Sequence, residues 1–168
     1  ARIDDLNLLK IGPKSAGSKP GPSSYNLGGI APTVTDADLL LGYLNPNYFL
    51  GGSMELNMNL ARKSYKHISE ILDLSIEETA LAVHKIVNEN MASAARIHIL
   101  EKGHDPQNFS MLSFGGAGPV HACGVSNLLP PNFNEPLNVF GSKVPTPAII
   151  LNEPLLATVG GAPIITWS

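Results

Sequence analysis

The run Leu112-Ser113-Phe114-Gly115-Gly116-Ala117-Gly118-Pro119-Val120-His121-Ala122-Cys123 constrains the fold of this chain more than any other stretch. An apolar segment of β type empties into a glycine loop, and the loop opens a helix. Glycines at such a junction let the backbone approach a ligand, because no Cβ holds it off and positive φ is allowed. Pro119 suits the first helical position, where a missing N–H costs nothing. The spacing matches neither G-x-G-x-x-G nor the phosphate loop G-x-x-x-x-G-K-[ST]. Two readings therefore stand at this point: a helix N-terminus that meets an anion or a ribose, and a tight strand-to-helix turn with no ligand.

Helical periodicity surrounds this junction. Leu60, Ala61, Ser64, Tyr65, Ile68, Ile71 and Leu72 recur at three and four, with Arg62, Lys63, Lys66 and Glu70 on the other side, which predicts an amphipathic helix. Ser75 followed by Glu78 forms a capping-box pattern. A stripe of Ile76, Ala80, Val83, Val87, Met91, Ala94 and Ile97 then predicts a long helix that Gly103 stops. Asp105-Pro106 turns the chain into a buried strand over 109–114. A strand between helices predicts a layered α/β domain. Nearer the start, Ile3, Leu6, Leu8, Leu9 and Ile11 suffice for a strand pair turning at Asp4-Asp5, and Thr35 or Asp36 caps a short helix through Leu39, Leu40 and Leu41.

Composition narrows the function. The 168 residues suffice for one domain with a core, and a net charge of −3 with 15% charged residues offers no basic face for nucleic acid and no polybasic membrane anchor. The C-terminal apolar region is interrupted by Pro147, Asn152, Glu153, Pro154, Gly160, Gly161 and Pro163, too often for a spanning helix. One cysteine, Cys123, excludes an intrachain disulfide framework, and a reducing, cytoplasmic setting is expected. Half of the prolines fall beyond Leu129, where the charged residues dwindle to Glu135, Lys143 and Glu153. The expected division is therefore a lobe over 1–129 and an irregular Pro/Gly-rich tail over 130–168. Short strands are expected in the tail at 148–151, 155–159 and 164–167, the last two joined by a Gly160-Gly161 hairpin.

Phrases in order along the chain are more specific than any one of them. They are Gly12-Pro13-Lys14-Ser15-Ala16-Gly17, Pro20-Gly21-Pro22 with Tyr25, Pro32-Thr33-Val34-Thr35-Asp36-Ala37-Asp38 with Leu41-Gly42, and Tyr48-Phe49-Leu50-Gly51-Gly52. Asn88-Glu89-Asn90-Met91-Ala92, Gly103-His104-Asp105-Pro106 and the run Phe114 to Cys123 complete the series. Over residues 1 to about 123 the chain resembles the hydantoinase A/5-oxoprolinase family, whose relatives include acetone and acetophenone carboxylase subunits. The resemblance implies part of an actin/Hsp70/sugar-kinase-like ATPase lobe, in which ATP activates a cyclic amide or a carbonyl substrate.

By that resemblance Gly115, Gly116, Gly118 and Pro119 contact the adenosine side of the nucleotide. The family carries its phosphate side on two Asp-Gly-Gly-Thr type turns. Neither occurs here, because Gly28-Gly29 and Gly51-Gly52 lack the leading acid and the following threonine. Phosphoryl transfer depends on positioning and neutralising the phosphates with Mg²⁺, so this chain alone is expected not to hydrolyse ATP. It reads as a piece of an ATP-dependent hydrolase of 5-oxoproline or hydantoin type rings. Its expected partners are the rest of the parent chain or a hydantoinase B-like subunit. A carboxylase subunit of the same family and a non-catalytic binding or packing module are the alternatives.

Individual residues carry competing readings. Asp36 and Asp38 are candidate ligands for a hard cation, against a capping role for Asp36. His121 and Cys123 suit a transition metal, but positions i and i+2 of a helix do not converge. Asn88, Glu89, Asn90 and Arg96 fall off the apolar stripe, where they face solvent or a cleft. His104 and Asp105 fit a local hydrogen bond in a turn, or a functional loop.

Overall fold

The computed structural model describes residues 1–113, 116–130, 148–151, 158–159, 162–163 and 165–167. The chain divides into two compact units, Ala1–Val87 and Asn88–Ser168. The division falls inside one long helix.

The first unit begins with the expected strand pair. β1 (Arg2–Ile3) pairs antiparallel with β2 (Leu9–Lys10), with Ile3 opposite Leu9. The Asp4 carboxylate builds the turn between them by accepting from the amides of Leu6 and Leu8. Those backbone bonds, ahead of the nearby Lys10, hold its carboxyl below the usual range.

α1 (Val34–Leu40) starts two to three residues earlier than a cap at Thr35 or Asp36 implies. Its N-cap is Thr33, whose hydroxyl accepts from the Asp36 amide at 3.2 Å, while the Asp36 carboxylate accepts from the Thr33 amide at 3.0 Å. Asp36 thus caps from the third helical position, the reciprocal arrangement of a capping box. α2 (Met58–Leu72) is capped by Asn57 and ends on Asp73 in the left-handed conformation. Its inward face is Ala61, Tyr65 and Ile68, all buried, as the period required.

Around these helices the unit encloses Ala37, Leu39, Leu56, Ala61, Tyr65, Ala80 and Val83. Tyr65 is fully buried and donates its hydroxyl to the Thr33 carbonyl at 2.7 Å. Burial first, and the negative charges of Asp36 and Asp38 after it, push the Tyr65 phenol far above its ordinary value.

α3 (Ile76–Glu101) is the long helix of the chain. At its start Ser75 and Glu78 form the expected capping box, with the Ser75 amide donating to Glu78 at 2.9 Å. At its end Gly103, at φ +75°, donates to Leu100 and His104 donates to Ile99, a Schellman closure that a left-handed glycine permits.

The stripe assigned to α3 is correct for its first half only. Ala80 and Val83 are buried, but farther on the buried residues are Asn88, Ala92, Ala95 and Ile99, and Ile97 is exposed. A straight α-helix advances 100° per residue, so a strip drawn at steps of three and four drifts around it over seven turns.

In the second unit Ala92, Ala95 and Ile99 of α3 pack with Phe109, Val125 and Leu129. Asp105 caps a short 3₁₀ turn by accepting from Gln107 at 2.9 Å, the local bond expected of it. β3 (Ser110–Ser113) and α4 (Gly118–Ser126) follow, the strand and helix expected on either side of the glycine loop. β3 pairs in parallel with β4 (Ala148–Leu151), Ser110 opposite Ala148, and β4 with β7 (Ile165–Trp167).

β5 (Thr158–Val159) and β6 (Ala162–Pro163) form the hairpin. The expected hairpin partner, 164–167, instead supplies β7 in the parallel sheet. Gly115 and Gly160-Gly161 lie outside the described residues. Among the described residues helix dominates, and no helix is long and apolar enough to cross a membrane.

Candidate functional site

The carboxyl end of β3 and the amino end of α4 form the first candidate site. Ser113 ends the strand, and its hydroxyl is buried without a hydrogen-bond partner. Gly116 is exposed, and a Cβ built on it would meet no atom within 4 Å. Gly118 is buried at the first helical position, and Pro119 follows in the first turn. Ala117, the N-cap, has no side chain to satisfy the helix amides. A buried hydroxyl, an open glycine and an uncapped helix start thus occur together at the end of a parallel strand.

His121 and Cys123 separate as helix geometry requires. Cys123 is exposed, whereas His121 is buried with Nδ1 2.9 Å from Asn88 Oδ1. Gly124 belongs to the same arrangement, since a Cβ there would run into the Asn88 amide group. Asn88 is therefore a buried partner rather than a solvated residue, while Glu89 and Asn90 are exposed. Arg96 donates to the Leu128 carbonyl at 2.7 Å. One signal for Asn88 was present in the sequence. Gly124 lies three residues after His121, on the same helix face, and a glycine inside a helix marks a close approach.

The two aspartates of the first unit have different partners. Asp36 is fully buried, and its carboxylate accepts from the amides of Ser23, Ser24 and Thr33 and from the Thr33 hydroxyl, at 2.8 to 3.2 Å. Four donors match the acceptor capacity of a carboxylate. Asp36 thereby ties the Ser23-Ser24 turn to the start of α1. Asp38 is also buried and pairs with His84 Nδ1 at 2.8 Å. The Tyr43 ring stacks on His84, centroids 4.9 Å apart. Sequence reasoning missed His84, because the pair joins positions 46 residues apart.

A cavity of about 550 Å³ also belongs to the first unit, bounded by the β1–β2 pair, the Gly12–Gly17 loop and the start of α1.

The family model described as Hydantoinase/oxoprolinase matches residues 1–135, twelve residues beyond the end of the resemblance read from the sequence. The chain is 46% identical over 132 residues to the acetophenone carboxylase gamma subunit of Aromatoleum aromaticum, covering 77% of this chain and 18% of that protein. It is 43% identical over 122 residues to caprolactamase subunit alpha of Pseudomonas jessenii, covering 72% and 18%. The crystal structure of the ATP-dependent caprolactamase from that organism matches with a TM-score of 0.69 at 41% identity, over 76% of this chain and 18% of that one. The chain thus spans about a fifth of the length of these relatives.

Proposed function

The chain belongs to the hydantoinase/oxoprolinase family, and on that premise we propose that it is part of an ATP-dependent hydrolase that opens cyclic amides of the 5-oxoproline or hydantoin type. Its lobe is of the actin/Hsp70/sugar-kinase kind, and the nucleotide is contacted at the Gly115–Pro119 loop. The observation that carries this reading is the β3–α4 junction. Ligands of open α/β sheets bind beyond the carboxyl ends of strands, where helix amides are also free. There the Ser113 hydroxyl is buried without a partner and the side-chain position of Gly116 is open.

These residues fit the sugar or base side of a nucleotide. Ser113 offers a hydroxyl, Gly116 lets the backbone approach, and Gly118 brings the first amide of α4. Bound with Mg²⁺, ATP supplies the activation of the amide carbonyl toward water. The Asp-Gly-Gly-Thr turns that would hold its phosphates are not in this sequence. Hydrolysis therefore needs the rest of a longer chain or a hydantoinase B-like subunit, and this stretch alone is inactive.

Calorimetric titration with ATP of the protein and of Gly116→Val tests the reading. A Cβ at this position meets no atom within 4 Å, so folding should be little affected while ATP binding weakens about tenfold or more. Equal affinities would overturn the assignment.

A second reading is a carboxylase subunit, favoured by the 46% identity to the acetophenone carboxylase gamma subunit. ATP turnover by the full complex separates the two. Turnover with a lactam or hydantoin and water alone supports the hydrolase, and turnover that requires a ketone and bicarbonate supports the carboxylase.

A further inference from the structure

The chain is acidic overall, at −3, yet the cavity beside the Gly12–Gly17 loop is lined by Arg2, Lys10 and Lys14 and by no carboxylate. Lys10 lies 3.7 Å from Asp4, whereas Arg2 and Lys14 make no ion pair among the described residues. The loop adds uncharged donors. Ser15 accepts from the Gly17 amide at 3.1 Å, which leaves its own hydroxyl proton to donate elsewhere. Among the described residues the N–H groups of Lys14, Ser15 and Ala16 make no hydrogen bond. Gly12 and Gly17, at φ +71° and +65°, bound this run of amides. Consecutive unbonded amides beside a left-handed glycine are the kind of donors that anion-binding nests use.

The buried Asp36 carboxylate makes no ion pair with Arg2 or Lys14, because its oxygens accept from Ser23, Ser24 and Thr33, and its charge acts on the Ala1 ammonium at the cavity wall. A volume of about 550 Å³ exceeds what a lone inorganic ion needs and falls within the range of small-ligand sites.

We propose that this cavity is a binding site for a phosphorylated small molecule, with Arg2 and Lys14 and the amides of Lys14 to Ala16 holding a phosphate group. An arginine fork fits carboxylate and phosphate alike, and the lysine point charge with several backbone amides favours the higher charge and larger oxygen count of a phosphate. The site lies wholly in the Ala1–Val87 unit and uses none of the residues assigned to the β3–α4 junction. It stands whether or not that junction binds a nucleotide.

Pyrophosphate is the probe, with malonate as the carboxylate control, titrated calorimetrically into the protein and into Lys14→Gln, Arg2→Gln and Lys63→Gln, the last an exposed lysine of α2 outside the cavity lining. The expected result is pyrophosphate binding that weakens about tenfold in Lys14→Gln and in Arg2→Gln and stays unchanged in Lys63→Gln. Arg2 and Lys14 are exposed and without an ion pair, so thermal unfolding of their variants should match that of the parent. Malonate binding as tight as pyrophosphate would overturn the phosphate class. No pyrophosphate binding at millimolar concentration, or equal binding by the parent, Lys14→Gln and Arg2→Gln, would overturn the site.

Discussion

Nδ1 of His121 sits 2.9 Å from Oδ1 of Asn88, with both side chains buried. An amide oxygen only accepts, so the imidazole donates from Nδ1, and in the neutral ring the acceptor nitrogen is Nε2. Gly124, one helix turn after His121, leaves room for the Asn88 side chain.

Gly124→Ala should therefore destabilise the chain by about 1 to 3 kcal/mol, the cost of forcing a methyl into filled space, although alanine is the better helix former. In urea unfolding, Asn88→Ala combined with Gly124→Ala should recover at least about 1 kcal/mol relative to the sum of the single variants. Strict additivity would show that the two residues do not press on one another.

Asp36→Asn replaces an acceptor of four donors with a group that carries an NH₂ of its own. At least one of the Ser23, Ser24 and Thr33 donors then faces another donor in a fully buried position. The expected loss is about 2 to 4 kcal/mol at neutral pH, read from denaturant midpoints. A loss below about 0.5 kcal/mol would mean that the clamp is replaceable by water.

His84→Ala removes the imidazole that pairs with the buried Asp38 carboxylate and stacks on Tyr43, and should cost about 1 to 3 kcal/mol. Asp38→Asn retains an oxygen that can accept from Nδ1 and should cost less. The reverse order in thermal unfolding would show that the Asp38 carboxylate, rather than the imidazole and its packing against Tyr43, carries the stability at this position.

Tyr65 predicts an alkaline limb in the stability profile. Its phenol is raised by burial, so above about pH 10 the unfolded chain releases a proton that the folded chain keeps. The contribution is fully present below the unfolded value. Above it, stability falls by up to about 1.4 kcal/mol per pH unit from this residue. Tyr25, raised in the same direction, adds a smaller part. Tyr65→Phe should cost about 1 kcal/mol at pH 7, since the Thr33 carbonyl loses its donor, yet flatten the limb above pH 10. Parallel limbs in the two proteins would rule out Tyr65 as its source.

The capping box at Ser75 and Glu78, the Gly103 stop, the α2 face and the strand and helix around the glycine loop were all legible, because each is set by residues within about one turn of one another. The first residue of α1 was misread for a local reason too. Thr33 and Asp36 cap reciprocally, and either end of such a box can be mistaken for its start. The C-terminal hairpin was read with the wrong partner, since β6 lies nearer in sequence and Ile165–Trp167 found a parallel place beside β4.

By itself the sequence determined the family, through ordered phrases over residues 1 to about 123 that lie within the 1–135 matched by the family model, and most of the helices, through period and caps. Only the tertiary structure decided the partners of the polar residues. Asp36 reaches Ser23 and Ser24, Asp38 reaches His84, and Asn88 reaches His121, across 12 to 46 positions. A buried polar group must be satisfied by some partner, but its own neighbours in sequence do not specify which, because that choice follows from how separate elements pack.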